Sequence, residues 1–447
     1  MKLLFVIPEY PPHYGGGIAS FYQQLLPNLA YAQHQITVLV GNAFTTKSLD
    51  YQQDSVKVKF LDTDLVNTYL RKFDHYRAIP ELQRHLATAW AAWEQVDGGK
   101  GYDLVEVTDW GMLFAPWIVS PDSPSTVVQL HASIGQIDFY DPQHDCQLQS
   151  HFTRLLESNL LSVADELQAN SQSNAKAWQQ LTNRDVRCIP PSLSLGVARS
   201  PQNYPQSNSN NGLVVGRIQH WKGVTVLCEA LRLLEDKAPN IDWVGRDTVY
   251  RESTSSMTSY LEQNYSDIWG KYIHPVGTFL PEKTNQIQAE AKFIIVPSIW
   301  DVFNFACVEG MALGKVVLCS QGAGASGLIT HEINGLVFKE NDPQSLATCL
   351  ETVMGWSPSK LEEVGMAAKQ TIKVDLNPKL IAQKRIEAYK DLIGRGKYPI
   401  KPNQWLIDAV SPHKKLDKQL AFLDRLPLSE LVKYTIHRSL KKILKKT

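Results

Sequence analysis

Apolar runs of four to six residues recur along the chain, most followed by a turn signal and then by apolar positions three and four apart. This alternation predicts buried parallel strands joined by helices. The first run, KLLFVI (2–7), leads into a Pro/Gly loop, PEYPPHYGGG, then the helical stretch IASFYQQLLPNLAYAQ and the strand QITVLV. Further strands are predicted at VKVKFL, DLVEV (103–107), TVVQL (126–130), ELQAN (166–170) and VRCIP (186–190). Over 191–211 the pattern gives way to PSLSLGVARSPQNYPQSNSNN, rich in Pro, Ser and Asn, which reads as a linker. A second alternation begins at GLVVGR (212–217), with strands at IDWVG (241–245), YIHPVG (272–277), FIIVP (293–297), VVLCS (316–320) and GLVF (335–338). LNPKLIAQKRIEAYKDLI then reads as a long amphipathic helix. The expected organisation is α/β, with two Rossmann-like domains, 1–190 and 212–375, facing a cleft across the 191–211 linker. A helix over 376–396 and an appendage over 397–447 complete it.

At 447 residues the chain can supply two cores. Its zero formal charge is unevenly spread. Residues 397–447 hold twelve Lys/Arg against four Asp/Glu, +8, which leaves 33 against 41, or −8, for the rest. A mildly acidic body argues against nucleic acid as a partner and a basic tail for an anionic one. In ELVKYTIHRSLKKILKKT (430–447), Val432, Ile436, Leu440, Ile443 and Leu444 share one helical face, and Arg438, Lys441, Lys442, Lys445 and Lys446 lie opposite. That suits a helix in an anionic membrane interface; a helix docked on the protein is the alternative. Six cysteines (Cys146, Cys188, Cys228, Cys307, Cys319, Cys349) without a C-x-x-C fit reduced thiols in a cytoplasmic protein, peripheral on the inner membrane face if the tail binds lipid. The start MKLLFVIPEYPP reads as a strand rather than a leader, and no window has the length of a transmembrane helix.

The richest segment is PSIWDVFNFACVEGMALGKVV, 297–317. It places Asp301 where a strand's carboxyl end feeds a helix, the ligand position of open α/β sheets, with Glu309 eight residues on. The amides of Asn304, Phe305 and Ala306 open the helix and suit a phosphate or sugar oxygen; the plainer alternative makes Asp301 the helix cap. In VGRIQHWKGV, Arg217 at a strand end and Lys222 before a helix can converge on a diphosphate, or simply flank a turn. Gly15, Gly16 and Gly17 let backbone approach a phosphate or form a flexible turn. Gly245 and Arg246 end another strand and border the same cleft. His131 ends TVVQLH, and Asp109 in VTDWG either touches an acceptor or caps a turn.

Asp301 and Glu309, followed by MALGKVV, resemble the donor-sugar motif of retaining GT-B glycosyltransferases of family 4, the group 1 transferases. That motif usually reads E-x7-E, then A-M-A-x-G-x-P-V-V. VGRIQHWKG matches the family's G-R-x4-K-G, and His131 and the glycine loop fall in place over roughly residues 1–395. The resemblance implies a GT-B fold and transfer of a sugar, with retention, from a nucleotide-diphosphate sugar to a hydroxyl of a glycan, lipid-linked or small-molecule acceptor. It implies no cofactor and no metal. Arg217 and Lys222 would hold the diphosphate, Glu309 the ribose and Asp301 the sugar hydroxyls, with His131 and Gly16 completing the site. The departures are Asp301 for Glu, Val316 for Pro, Ala132 for Asp and Gly327 for the Glu of G-G-x-x-E. A nucleotide-sugar 2-epimerase on the same fold, or a non-catalytic carbohydrate- or nucleotide-binding scaffold, would share most of these features.

Overall fold

The computed structural model describes residues 1–12, 16–41, 49–141, 148–194, 211–250, 252–412 and 427–444. Most of the linker, Gly15 and Cys146 lie outside that set. Within it, the first half forms one sheet from β1 (Lys2–Ile7), β2 (Gln35–Val40), β3 (Tyr51–Gln53), β4 (Val56–Phe60), β5 (Leu104–Thr108), β6 (Thr126–Leu130), β7 (Glu166–Ala169) and β8 (Val186–Cys188), in the order β3-β4-β2-β1-β5-β6-β7-β8. All pairs are parallel except β3 with β4. Leu3, Leu4, Phe5, Val6 and Ile7 are all fully buried, because helices cover both faces of β1.

The second half repeats the plan with β9 (Gly212–Val215), β10 (Ile241–Val244), the small antiparallel pair β11 (Val249–Tyr250) and β12 (Glu252–Ser256), then β13 (Ile273–Gly277), β14 (Phe293–Val296), β15 (Val317–Ser320) and β16 (Leu336–Phe338). The main sheet runs β13-β10-β9-β14-β15-β16, all parallel. The chain reverses direction across each sheet, between β1 and β5 and between β9 and β14. Those are the two switch points, where ligands bind outside the strand ends.

The helix Pro378–Arg395, capped by Asn377, returns from the second half to pack on the first helix, Gly17–Tyr31. The stretch after it differs from the expected appendage. Lys397 donates to the Pro121 carbonyl, Leu406, Ala409 and Val410 are buried in the first core, and Tyr76 and Trp90 donate to the Ala409 and Val410 carbonyls at 2.5 and 2.6 Å. One apolar turn, WLI, inside a basic stretch suffices because the first core leaves a seat for it. The helix Leu428–Leu444 leans on this core through Leu431 and on His151 through Arg438.

Candidate functional site

The second switch point is built by close backbone approach. Gly223, with φ of +79°, ends the turn His220–Lys222; a Cβ there would stand 1.8 Å from the Pro297 carbonyl oxygen. Only glycine permits that contact, and it presses the turn onto the end of β14. Ile299 then donates to the Trp221 carbonyl at 2.9 Å. Lys222 lands on Asp301, with Nζ 2.6 Å from Oδ2 and both side chains mostly shielded. Asn304 Nδ2 donates to the same oxygen at 2.9 Å.

Asn304, rather than Asp301, caps the helix Phe305–Ala312: with φ of +84° it turns Oδ1 to accept from the Cys307 amide at 3.1 Å. Phe305 and Ala306 supply the first two amides of that helix, which have no carbonyl four residues back inside it. Asp301 is held by its own backbone, its amide donating to Gly322 and its carbonyl accepting from Gly324. Gly327 in the same loop faces open space.

Arg217 follows β9 and reaches into solvent in the cleft. Among the described residues it has no hydrogen-bond or ion-pair partner. The protein crowding around it, then neighbouring Arg246, hold its pKa below the ordinary value, while Asp301, Glu9 and Asp141 pull the other way. Arg246 is also exposed. Gly245 brings the two strand ends together, since a Cβ there would be 1.9 Å from the Gly216 carbonyl oxygen. Glu309 is half-buried in the helix; burial raises its pKa, and Gln288 Nε2 lies 3.5 Å from Oε2.

The first sheet contributes from the other side. Gly16 precedes the first helix and Gly17 opens it; a Cβ at Gly17 would meet the Phe305 ring at 3.3 Å, so this helix start abuts the donor motif. One of its amides is already taken, as Ala19 donates to Glu9 Oε1 at 3.1 Å.

His131 directly follows β6, with its ring edge-on to Phe21, 4.8 Å between centroids. Burial, then the charge of Arg385, lower its pKa to about 3, so the imidazole is neutral. Its Nε2 is buried without a partner. Asp109 proves to be a brace: buried, it accepts from the amides of His131 at 2.8 Å and Ala132 at 3.2 Å. Glu157 does the same for Ile134 and Gly135 at 3.1 and 3.0 Å.

The two halves touch beside this site. Ser171 Oγ donates to the Val302 carbonyl at 2.7 Å, and Gln219 Nε2 to Asp141 Oδ2 at 2.9 Å. The Tyr140 ring stacks on Trp300 at 4.7 Å and 4°, and Trp300 meets Trp221, over which Lys222 Nζ lies 4.3 Å from the ring centroid. Sequence reasoning passed over this clasp, although Trp221 and Trp300 directly precede the two charged residues it steadies. Among the described residues no cluster of three His, Cys, Asp or Glu is placed to hold a metal ion.

The two braces carry a pH prediction. Burial raises Asp109 to about 7 and Glu157 to about 8 against the pull of their amide partners. Unfolded, both would titrate near 4, so the native state holds extra protons up to those values and stability falls as pH rises. Below about pH 6.5 His131 opposes this trend, because the unfolded imidazole takes a proton that the native one refuses. Above it the carboxyls act alone, and stability should decline by about 2 kcal/mol from pH 6.5 to 9. Urea unfolding across that range measures it. Glu157→Gln should flatten the slope; a slope unchanged in that variant would contradict the assignment.

Comparisons with known proteins fit this geometry. A family model described as Glycosyl transferases group 1 matches residues 209–355, the half that holds Arg217, Lys222, Asp301 and Glu309. An uncharacterised glycosyltransferase of Methanocaldococcus jannaschii is 22% identical over 428 residues, spanning 88% of this chain and 100% of the relative. The D-inositol 3-phosphate glycosyltransferase of Pseudarthrobacter chlorophenolicus is 26% identical over 227 residues, 47% of this chain and 52% of its own length. Among solved structures, sucrose-phosphate synthase of Thermosynechococcus elongatus superposes with a TM-score of 0.66 at 17% identity, covering 89% of this chain and 100% of the other. Anabaena HepE in complex with UDP-glucose gives 0.60 at 17% identity over 88% and 100%. The second sheet thus matches the model of the group 1 glycosyltransferases over residues 209–355, and the whole chain has the GT-B fold.

Proposed function

We propose that the chain transfers a sugar, with retention, from a nucleoside-diphosphate sugar to a hydroxyl of a glycan, lipid-linked or small-molecule acceptor. The observation that carries this is Arg217, a guanidinium without a hydrogen-bond or ion-pair partner among the described residues, at the second switch point beside Arg246 and Asp301. Anabaena HepE, of like fold, is a complex with UDP-glucose, which supports a donor of that class.

The diphosphate sits on Arg217 and takes over Lys222 from Asp301. The freed Asp301 carboxylate then accepts from a sugar hydroxyl. In the transfer, the bond between the anomeric carbon and the diphosphate oxygen breaks and the acceptor oxygen bonds that carbon on the same face. The departing phosphate oxygen takes the acceptor's proton, and both cations stabilise charge that grows on it. Glu309 holds the ribose, and Gly245 and Arg246 border the nucleotide. His131 Nε2 meets a sugar hydroxyl, with Gly16 and Gly17 closing the far side.

A thermal-shift screen of UDP-, GDP- and ADP-sugars tests the donor, since a ligand of the native state raises its melting point. Incubation of the stabilising sugar with the enzyme alone separates transfer from epimerisation. Conversion to the 2-epimer without any acceptor would refute the transferase assignment.

The last helix supports a lipid-linked acceptor at an anionic membrane. Leu428, Val432, Ile436 and Leu440, four residues apart, are all exposed, and Lys441, Lys442, Lys445 and Lys446 follow in the sequence. Each basic residue near an anionic surface is worth about 1 kcal/mol, weakened by salt. Because 397–411 belongs to the first core, the test removes only residues 427–447. Loss of sedimentation with anionic vesicles, at an unchanged melting point, is expected. Full-length protein that ignores such vesicles at low salt would end the membrane assignment.

A further inference from the structure

The crossing helix Pro378–Arg395 buries an arginine on its apolar face. Arg385 is fully shielded, with Ile381, Ala382, Ala388 and Tyr389 about it. Its Nη1 donates to Glu106 Oε2 at 3.2 Å and to Gln168 Oε1 at 3.1 Å, and its Nη2 to Gln129 Oε1 at 2.8 Å. These three partners come from β5, β7 and β6. Glu106 also accepts from Tyr22 at 2.9 Å and Tyr389 at 2.5 Å. Burying such a pair gains little stability over an apolar packing of the same volume, so stability alone is a weak reason for it.

Its position suggests another. Gln129, on β6, lies two residues before His131, which directly follows that strand. The guanidinium stands over the Phe21 ring at 4.8 Å, and Phe21 meets the His131 imidazole at 4.8 Å. Tyr22, tethered to Glu106, meets the same imidazole at 5.6 Å. The aromatic pair therefore joins the buried ion pair to the His131 ring.

We propose that Arg385 is a positioning residue for His131, acting through Phe21 and Tyr22 from beneath the sugar site. This rests on the assignment of His131 to the donor sugar. A diphosphate entering the cleft draws protons towards nearby bases. The fixed cation below opposes protonation of the imidazole, so Nε2 meets the sugar on a neutral ring of set orientation. The other ionisable groups around the ring are Tyr22 on the first helix, Glu106 and Asp109 at β5, Glu157 behind the loop after β6, and Tyr389 on the crossing helix.

The test uses the full chain with 13C-labelled histidine and the variants Arg385→Lys, Arg385→Met and Arg385→Met/Glu106→Met. In wild type and Arg385→Lys the His131 resonance, identified by its absence in His131→Ala, should stay untitrated from pH 5 to 9. In Arg385→Met it faces a carboxylate without its cation, and its titration midpoint should enter that range. Should that variant fail to fold, the double variant decides, because it leaves no unpaired buried charge. Its turnover of whichever of UDP-, GDP- and ADP-glucose the wild type uses fastest should drop at least tenfold at a melting point near wild type, and the drop should vanish in a His131→Ala background. Wild-type turnover in the double variant, or a drop that persists without His131, overturns the proposal. If His131→Ala alone turns over at the wild-type rate, the sugar-site assignment is what fails, and the resonance still reports whether Arg385 governs the ring.

Discussion

Arg217→Ala should lower kcat/KM for the nucleotide sugar by about two to three orders of magnitude, roughly 2–4 kcal/mol of transition-state stabilisation. The size follows from its role as a donor aimed at an oxygen whose charge grows as the bond breaks. The melting point should stay within a degree or two, since the side chain has no partner to lose among the described residues. That separation of activity from stability is the informative part. A variant that turns over at the wild-type rate would remove Arg217 from the diphosphate site. Lys222→Ala should behave differently, because it strips Asp301 of the cation 2.6 Å away and leaves Asn304 alone on that oxygen. Loss of activity there should come with some loss of stability.

Asp301→Asn and Glu309→Ala should divide the donor between them. Glu309→Ala should weaken the free nucleoside diphosphate by roughly tenfold, the worth of one charge-assisted hydrogen bond to ribose. Asp301→Asn should spare that ligand, or tighten it, because Lys222 no longer has to leave a carboxylate to meet the phosphates. The same variant should impair use of the whole nucleotide sugar by about tenfold to a hundredfold. Calorimetry with the nucleoside diphosphate, set beside kinetics with the sugar, measures both. Equal losses with both ligands in both variants would contradict the division.

The strands of both main sheets were legible because parallel strands covered on two faces are near-continuous apolar runs. β3, YQQ, was not: it is a polar edge piece paired antiparallel through a turn with Asp54 at φ +52°. The β11–β12 pair, largely polar, escaped for the same reason. At the site, the positions of Arg217, Asp301 and His131 after strands and of Lys222 before a helix followed from periodicity. Their partners did not. The Lys222–Asp301 contact spans 79 residues and depends on how far Gly223 lets two backbones close. Asn304 took the cap from Asp301 through a left-handed conformation that spacing does not announce. In IAQKRIEAYKDL, Arg385 reads as one more solvated helix charge, and only packing of that helix against three strands exposes its role. The docked turn at 404–410 was too short to outweigh the basic residues around it.

The central claim is that a nucleoside diphosphate seats on Arg217 and Lys222 at the second switch point. Titration calorimetry of UDP, GDP and ADP into the wild type and into Arg217→Ala/Lys222→Ala tests it most directly. The account predicts that one of the three binds the wild type in the micromolar range and binds the double variant at least a hundredfold more weakly, with circular dichroism unchanged. Binding of equal strength to both proteins, or no binding of any of the three to the wild type, would contradict it.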